Sequence, residues 1–137
     1  MKIEIQSPGN DEHDALGERL MAFNIKQRPQ ARWRKEVFTV SLKDDSGKLR
    51  GGARGVVRMG AIDSQTLWLD EDLRHGGSGA EIVRTVEDEG KRRGARAVLL
   101  YTYDFQARGF YERLGYSCIG SFEFPGGVTR FYMSRAL

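Results

Sequence analysis

The sequence predicts one mixed α/β domain, with a single mostly antiparallel central sheet flanked by helices. Three observations lead there. Alternating apolar runs on either side of polar turns read as hairpins in both halves of the chain. A nearly continuous apolar run at 97–101 stands between two helical segments, as a buried strand does. The length, 137 residues, suits one core, so residues 1–137 are read as one domain.

Taken in order, residues 2–5 alternate and read as a short strand. Ser7 to Asp11 form a turn and helix cap, and Leu16, Leu20 and Phe23 then fall on one stripe of an amphipathic helix. Pro29 ends that helix inside a basic, irregular segment, 26–35. Residues 37–42 and 49–57 form a hairpin around the turn 44–47, with a bulge expected at Gly51 and Gly52. Residues 66–69 make another strand. A long helix follows over 77–93, with Ile82, Val83 and Val86 on one face. Three acid-to-base pairs support it, Glu87–Lys91, Asp88–Arg92 and Glu89–Arg93, and Gly94 stops it. Residues 97–101 read as a strand buried on both faces. Asp104 caps a short helix that runs to Leu114, and strands 116–122 and 129–133 close the chain around the turn 125–127.

Apolar residues make up 39% of the chain and charged residues 30%, the balance of a well-solvated globular surface. No stretch nears the roughly 18 apolar residues that a membrane span needs. Residues 1–5 are too short and polar for a signal peptide, so a cytoplasmic setting is expected. Cys118 is the one cysteine; no internal disulfide is possible, and its apolar neighbourhood reads as core. A net charge of +3 does not by itself mark a nucleic-acid binder.

The most informative segment is Arg74-His75-Gly76-Gly77-Ser78-Gly79, between a strand and a helix. Helix starts leave amides unpaired and carry partial positive charge. Absent side chains let a phosphate reach the backbone, and Arg74 adds a forked cation. A Walker-type loop is excluded, since Gly47-Lys48 is followed by Leu49. A dinucleotide fingerprint fits poorly, because five residues, Asp70 to Arg74, separate strand from turn. An ordinary flexible loop before a helix stays open on spacing alone.

Two stretches carry a resemblance. Residues 67–79 resemble the acetyl-CoA-binding motif of the GNAT superfamily, Arg/Gln-x-x-Gly-x-Gly/Ala, met here by Arg74, Gly77 and Gly79. Residues 104–116 look like the family's downstream helix, which carries Ala, then Phe/Leu-Tyr, then Gly-Phe/Tyr. Phe131-Tyr132-Met133 resembles the last strand of small bacterial members. The likeness implies a GNAT-like fold and transfer of an acetyl group from acetyl-CoA to a primary amine, with no metal. It implies that backbone groups of Leu67 and Leu69 pair with the pantetheine arm. The turn amides of His75, Gly76, Gly77, Ser78, Gly79 and Ala80 would then hold the pyrophosphate, beside Arg74, and Gln106 would touch the coenzyme. Tyr111 matches the tyrosine that protonates the leaving thiolate; a core aromatic is the competing reading. Asp63 matches a position where some members place a glutamate base, and a water relay is the alternative. Two departures stand out: Asp104 replaces a common asparagine, and His75-Gly76 replace Gly-Gln or Gly-Lys.

The acceptor is expected to be a small-molecule or peptidic amine, with no membrane partner. The basic segment around Trp33 suits an anionic acceptor or RNA, or a solvated loop; nucleic acid is not the expected partner. Glu123 between Phe122 and Phe124 either faces a cationic amine or is an ordinary exposed strand residue. Asp70, Glu71 and Asp72 read mostly as a solvated loop. Trp68 and the last strand offer a homodimer surface and pack equally well in a monomer. The competing class is a non-catalytic coenzyme- or RNA-binding module on the same scaffold.

Overall fold

The computed structural model describes every residue except Pro8, Asn10 and the side chain of Ser64. The described residues divide into two compact units, Met1–Trp33 and Arg34–Leu137.

The first unit contains α1 (Asp11–Gln27), which carries the stripe of Leu16, Leu20 and Phe23. Residues 2–5 form no strand, contrary to the alternation. Two apolar side chains bury too little surface to hold four residues extended. The predicted turn before α1 includes Pro8 and Asn10 and so falls outside the described residues. After α1 the chain turns back on itself, and the Trp33 indole N–H donates to the Arg28 carbonyl at 2.9 Å.

The second unit contains β1 (Glu36–Lys43), β2 (Leu49–Arg58), β3 (Ala61–Leu69), α2 (Ser78–Arg92), β4 (Ala97–Tyr103), α3 (Arg108–Arg113), β5 (Ser117–Glu123) and β6 (Thr129–Ala136). They form one six-stranded sheet in the order β1-β2-β3-β4-β6-β5. Every neighbouring pair is antiparallel except β3 and β4. β3 begins earlier than the sequence suggested. Met59 and Gly60 both take positive φ, 50° and 76°, which turns β2 tightly into β3 as a two-residue hairpin requires. The expected bulge lies at Arg50, beside Gly51: Leu42 faces Gly51 and Lys43 faces Leu49. A second bulge places Asp63 as the extra residue between the pairs Val56↔Ser64 and Val57↔Ile62.

The core forms where α2 lies on the sheet. Ile82, Val83 and Val86 pack with Phe38, Val57, Ile62, Val98, Leu100 and Met133. Gly90 lets α2 approach so closely that a Cβ there would run into the Ile62 side chain. β4 is buried on one face, through Val98, Leu100 and Thr102, while Leu99 and Tyr101 are exposed. The apolar run therefore overstated its burial, because α2 and α3 supply core contacts to only one face. Cys118 is exposed rather than core. It lies on β5, an edge strand exposed along its length, with its thiol 3.4 Å from the Gly120 carbonyl.

Two of the helix pairs also differ from expectation. Glu87 turns inward, where Tyr116 Oη donates to it at 2.8 Å and Arg135 Nη1 at 2.6 Å. Asp88 pairs with Lys91 at 3.6 Å instead of with Arg92. Arg92 joins Arg93 on Glu89, whose carboxyl their hydrogen bonds pull down to about 2. No helix among the described residues is long and apolar enough to cross a membrane.

Candidate active site

β3 and β4 run parallel but share a single ladder pair, Ile62↔Val98. Arg96 N–H closes the base of this seam on the Gly60 carbonyl at 2.8 Å. Beyond that pair the two strands form an unladdered fork. The backbone direction follows from the neighbouring ladders. Asp70 N–H donates to Arg50 O at 2.9 Å across the β2 side. By strand alternation, the N–H and C=O groups of Gln65, Leu67 and Leu69 point away from β2 and into the fork. Likewise Asp104 N–H donates to Thr129 O at 2.9 Å on the β6 side, so Tyr101 and Tyr103 present their backbone groups to the fork. The sequence-predicted pair Leu67 and Leu69 thus lies on an open strand edge.

At the mouth of the fork, the chain leaves β3 through a short 3-10 turn, Glu71–Leu73, and enters α2. His75 and Gly77 both adopt left-handed backbone, with φ of 65° and 93°. Such alternation turns successive amides toward one concavity, a setting suited to anions. The first hydrogen bond of α2 is Glu81 N–H to Gly77 O. Among the described residues, the amides from His75 to Ala80 therefore make no backbone hydrogen bond. Gly79 lies where a Cβ would meet the Phe110 ring at 3.4 Å. Arg74 folds over the site, its Nε–H on the Leu69 carbonyl at 3.0 Å and its guanidinium 5.1 Å from the Trp68 ring centre.

The acidic run before the turn is solvated as expected, with Glu71 and Asp72 exposed, but two of its carboxylates are ion-paired. Arg50, thrown out by its bulge, donates Nε–H to Asp70 at 2.7 Å and Nη2–H to both oxygens of Asp72. These hydrogen bonds hold both carboxyls below their ordinary range and raise the Arg50 pKa. Of the three acids, two brace the turn.

Tyr111, on α3, is buried at 5% exposure. Its ring packs edge-on against Phe110 and Tyr116. Burial pushes its phenol up to about 12, opposed weakly by the nearby Gln65 carboxamide. Gln65 is also buried, at 8% exposure, and beyond that approach to the Tyr111 phenol neither its Nε2 nor its Oε1 closes a hydrogen bond. Sequence reasoning missed Gln65; its one signal was a polar residue in phase with Leu67 and Leu69.

Gln106 holds the corner between β4 and α3. Its Oε1 accepts from Tyr103 N–H at 3.0 Å and lies 3.3 Å from Thr102 Oγ1. Tyr103 N–H points into the fork, so Gln106 caps the fork's β4 edge. Asp104 is not a helix cap: α3 begins after Ala107, whose N–H donates to the Thr102 hydroxyl at 3.2 Å. Buried Thr102 supplies the acceptor expected of Asp104. Asp63, the candidate base, is ion-paired with Arg58 Nη2 at 2.5 Å. No group of three His, Cys, Asp or Glu side chains that could hold a metal ion occurs among the described residues.

On the sheet face opposite Gln65 and Val98, Arg130 stands among aromatic rings. Its guanidinium is 4.3 Å from the Tyr101 ring centre and 4.9 Å from that of Phe124. It donates to Tyr103 Oη at 2.6 Å. Glu123 points to the other face from its neighbours Phe122 and Phe124, whose rings meet edge-on.

A parallel seam open beside a glycine-rich helix start is the architecture of an acyltransferase, and the comparisons with known proteins agree. The model of the Acetyltransferase (GNAT) family matches residues 8–116, and the chain belongs to that family. A blasticidin-S acetyltransferase of Streptomyces morookaense is 31% identical over 104 residues, covering 74% of this chain and 76% of that protein. The crystal structure of an acetyltransferase from Bacillus cereus superposes with a TM-score of 0.89 at 26% identity, covering 98% of each chain. An aminoglycoside 6'-N-acetyltransferase solved with coenzyme A shares the fold, with a TM-score of 0.64 at 19% identity over 99% of this chain and 97% of that one.

Proposed function

We propose that the protein transfers an acetyl group from acetyl-CoA to a primary amine, by direct attack. The observation that carries this reading is the fork. An open β3 edge at Leu67 and Leu69 leads from the glycine-rich turn toward a buried, neutral phenol, Tyr111. Acyl-CoA fits those features. Its pantetheine amides are hydrogen-bonding partners for a strand edge, and its pyrophosphate suits the amides of residues 75–80 with Arg74 beside them. The coenzyme-bound relative with this fold supports the same choice.

In the reaction the amine nitrogen attacks the thioester carbonyl, forming a C–N bond as the C–S bond breaks. The electron pair leaves on sulfur, and Tyr111 gives it a proton. The amine's own proton leaves to Asp63, through the oxygen not held by Arg58, or to water. An amide and the free thiol result. A backbone N–H that β3 directs into the fork would share in stabilising the carbonyl oxygen.

A small-molecule amine acceptor is supported by the blasticidin-S acetyltransferase relative; a peptidic amine is the other form the acceptor takes in this reading. No nucleic acid is included, and the Trp33 indole N–H already has an internal partner, Arg28. The setting we assign is the cytoplasm, where acetyl-CoA is made available to such enzymes. Calorimetric titration with acetyl-CoA and CoA tests the coenzyme site. Micromolar binding that a Gly77→Glu variant loses is the expected result, because the new carboxylate would oppose phosphate where φ is 93°. Absence of binding to the unaltered chain would sink the reading.

A further inference from the structure

Gln65 is a buried carboxamide whose one polar neighbour is the Tyr111 phenol, so most of its hydrogen-bonding capacity has no use within the folded chain. On the reading of an acyl-CoA site, we infer that its carboxamide hydrogen-bonds the thioester carbonyl of the bound acyl group, which makes Gln65 a catalytic residue of this chain.

A carboxamide carries two donors and an acceptor with two lone pairs. Burying such a group with most of that capacity unused is destabilising. Gln65 is 8% exposed, and apart from its approach to the Tyr111 phenol neither of its polar atoms closes a hydrogen bond. Its in-phase neighbours on β3, Leu67 and Leu69, join the core as apolar residues. A leucine at 65 would satisfy that core at less expense, so the polar group answers to something outside the folded chain.

Direction comes next. Gln65 is the residue one step deeper in the fork than Leu67 on the same strand edge. Its side chain projects on the core face, where Tyr111 lies. A pantetheine arm laid along Leu69 and Leu67 ends its run at the level of Gln65. If Tyr111 protonates the sulfur, the group beside Tyr111 faces the atoms bonded to that sulfur. The carbonyl oxygen is the acceptor there, and it gains negative charge as the amine attacks. The Nε2 donor therefore strengthens its bond on the way to the transition state. The second Nε2 proton can donate to the Tyr111 oxygen and support it as its proton leaves for sulfur, the sense in which Gln65 lowers the Tyr111 pKa.

The experiment uses the full chain with Gln65→Leu, and Gln65→Met as a second variant of near-equal length should the first fail to fold. Thermal unfolding, affinity for CoA and for acetyl-CoA, and the infrared carbonyl stretch of bound 13C-labelled acetyl-CoA are measured together. Removing this largely unpaired buried amide is expected to leave Tm unchanged or raised. CoA, which has no thioester carbonyl, should bind within about twofold of the unaltered chain. Acetyl-CoA should lose its affinity advantage over CoA, its carbonyl stretch should move to higher frequency, and turnover should fall by roughly 100-fold. An unchanged stretch with unchanged turnover would overturn the inference and leave Gln65 as the partner of a buried water. Failure of the unaltered chain to bind either CoA or acetyl-CoA is a different result: it removes the acyl-CoA reading, and the role of Gln65 with it.

Discussion

In the proposed reaction, burial selects the protonation state that the task of Tyr111 requires. With its phenol raised to about 12, it holds its proton across the whole range in which an amine becomes nucleophilic. Turnover should therefore climb with pH as the acceptor amine deprotonates, with no loss assignable to Tyr111 until pH approaches 12. A pH profile of kcat/KM that fell near 8, with an ionisation abolished in Tyr111→Phe, would contradict this. Tyr111→Phe should lower kcat by about 100-fold or more while CoA affinity, measured by calorimetry, stays close to that of the unaltered chain. The same shift has a consequence for stability. The unfolded chain releases this proton near 10 and the folded chain near 12, so the contribution is complete below pH 10 and declines as pH rises through 12. The place of Tyr111 on the helix after β4 was legible in the sequence because its neighbours form a motif; its packing in the core fits the competing reading as a core aromatic, and its proton-donor role belongs to the proposed reaction. Gln65 was not legible, since one polar residue in a strand says nothing of its partners until the fold surrounds it.

Helix α2 is fixed to the sheet by two devices of different kinds. Gly90 permits contact with Ile62, and Glu87 accepts from Tyr116 and Arg135. Gly90→Ala adds a methyl with nowhere to go, and overpacking of that size costs about 1–3 kcal/mol, partly offset by better helix propensity. The expected result is a Tm lower by several degrees in thermal unfolding. Glu87→Ala strands the Tyr116 hydroxyl and should cost about 1–3 kcal/mol, since Arg135 is partly exposed, whereas Glu87→Gln, which keeps an acceptor, should cost less in the same assay. Such clamps explain where periodicity failed. The i,i+4 rule paired Glu87 with Lys91 because it counts spacing and not facing; Ile82, Val83 and Val86, placed by the same periodicity, were right because apolar residues choose the buried side for themselves. Element by element, the hairpins and helices were legible from turns and stripes. The early start of β3 was not, because Met59 at positive φ hides a tight turn that Asn or Asp would have signalled. The Arg50 clasp on Asp70 and Asp72 was equally hidden, joining residues about twenty apart in sequence. It should hold from neutral pH down through the ordinary carboxylate range, and open only as pH falls through the depressed values of its two acids.

At the scale of the molecule, the proposed function rests on a sheet that is incomplete at one seam. β4 is laddered to β6 along its length, and β3 to β2, yet β3 and β4 meet at one pair near their starts. Each of the two strands therefore has amides of two kinds in strict alternation. Those of Thr66 and Trp68 on β3, and of Leu100 and Thr102 on β4, point into complete ladders. Those of Leu67, Leu69 and Tyr101 point into the fork. Tyr103 is the exception on that edge, because Gln106 caps it. Native-state hydrogen exchange should read this alternation directly: along one strand, neighbouring amides should differ in protection, with the fork-facing set exchanging faster. Saturating coenzyme should slow Leu67 and Leu69 selectively, since they acquire partners, and leave Thr66 and Trp68 nearly as they were. Tyr101 tests how the gap is filled. Slowing there as well would mean that the ligand bridges both edges and completes the sheet, while slowing on β3 alone would mean that the coenzyme adds itself as a strand to one edge. Uniform protection along β3 without ligand would show a closed seam in solution, and the fork could not then be the route by which an acyl chain reaches Tyr111.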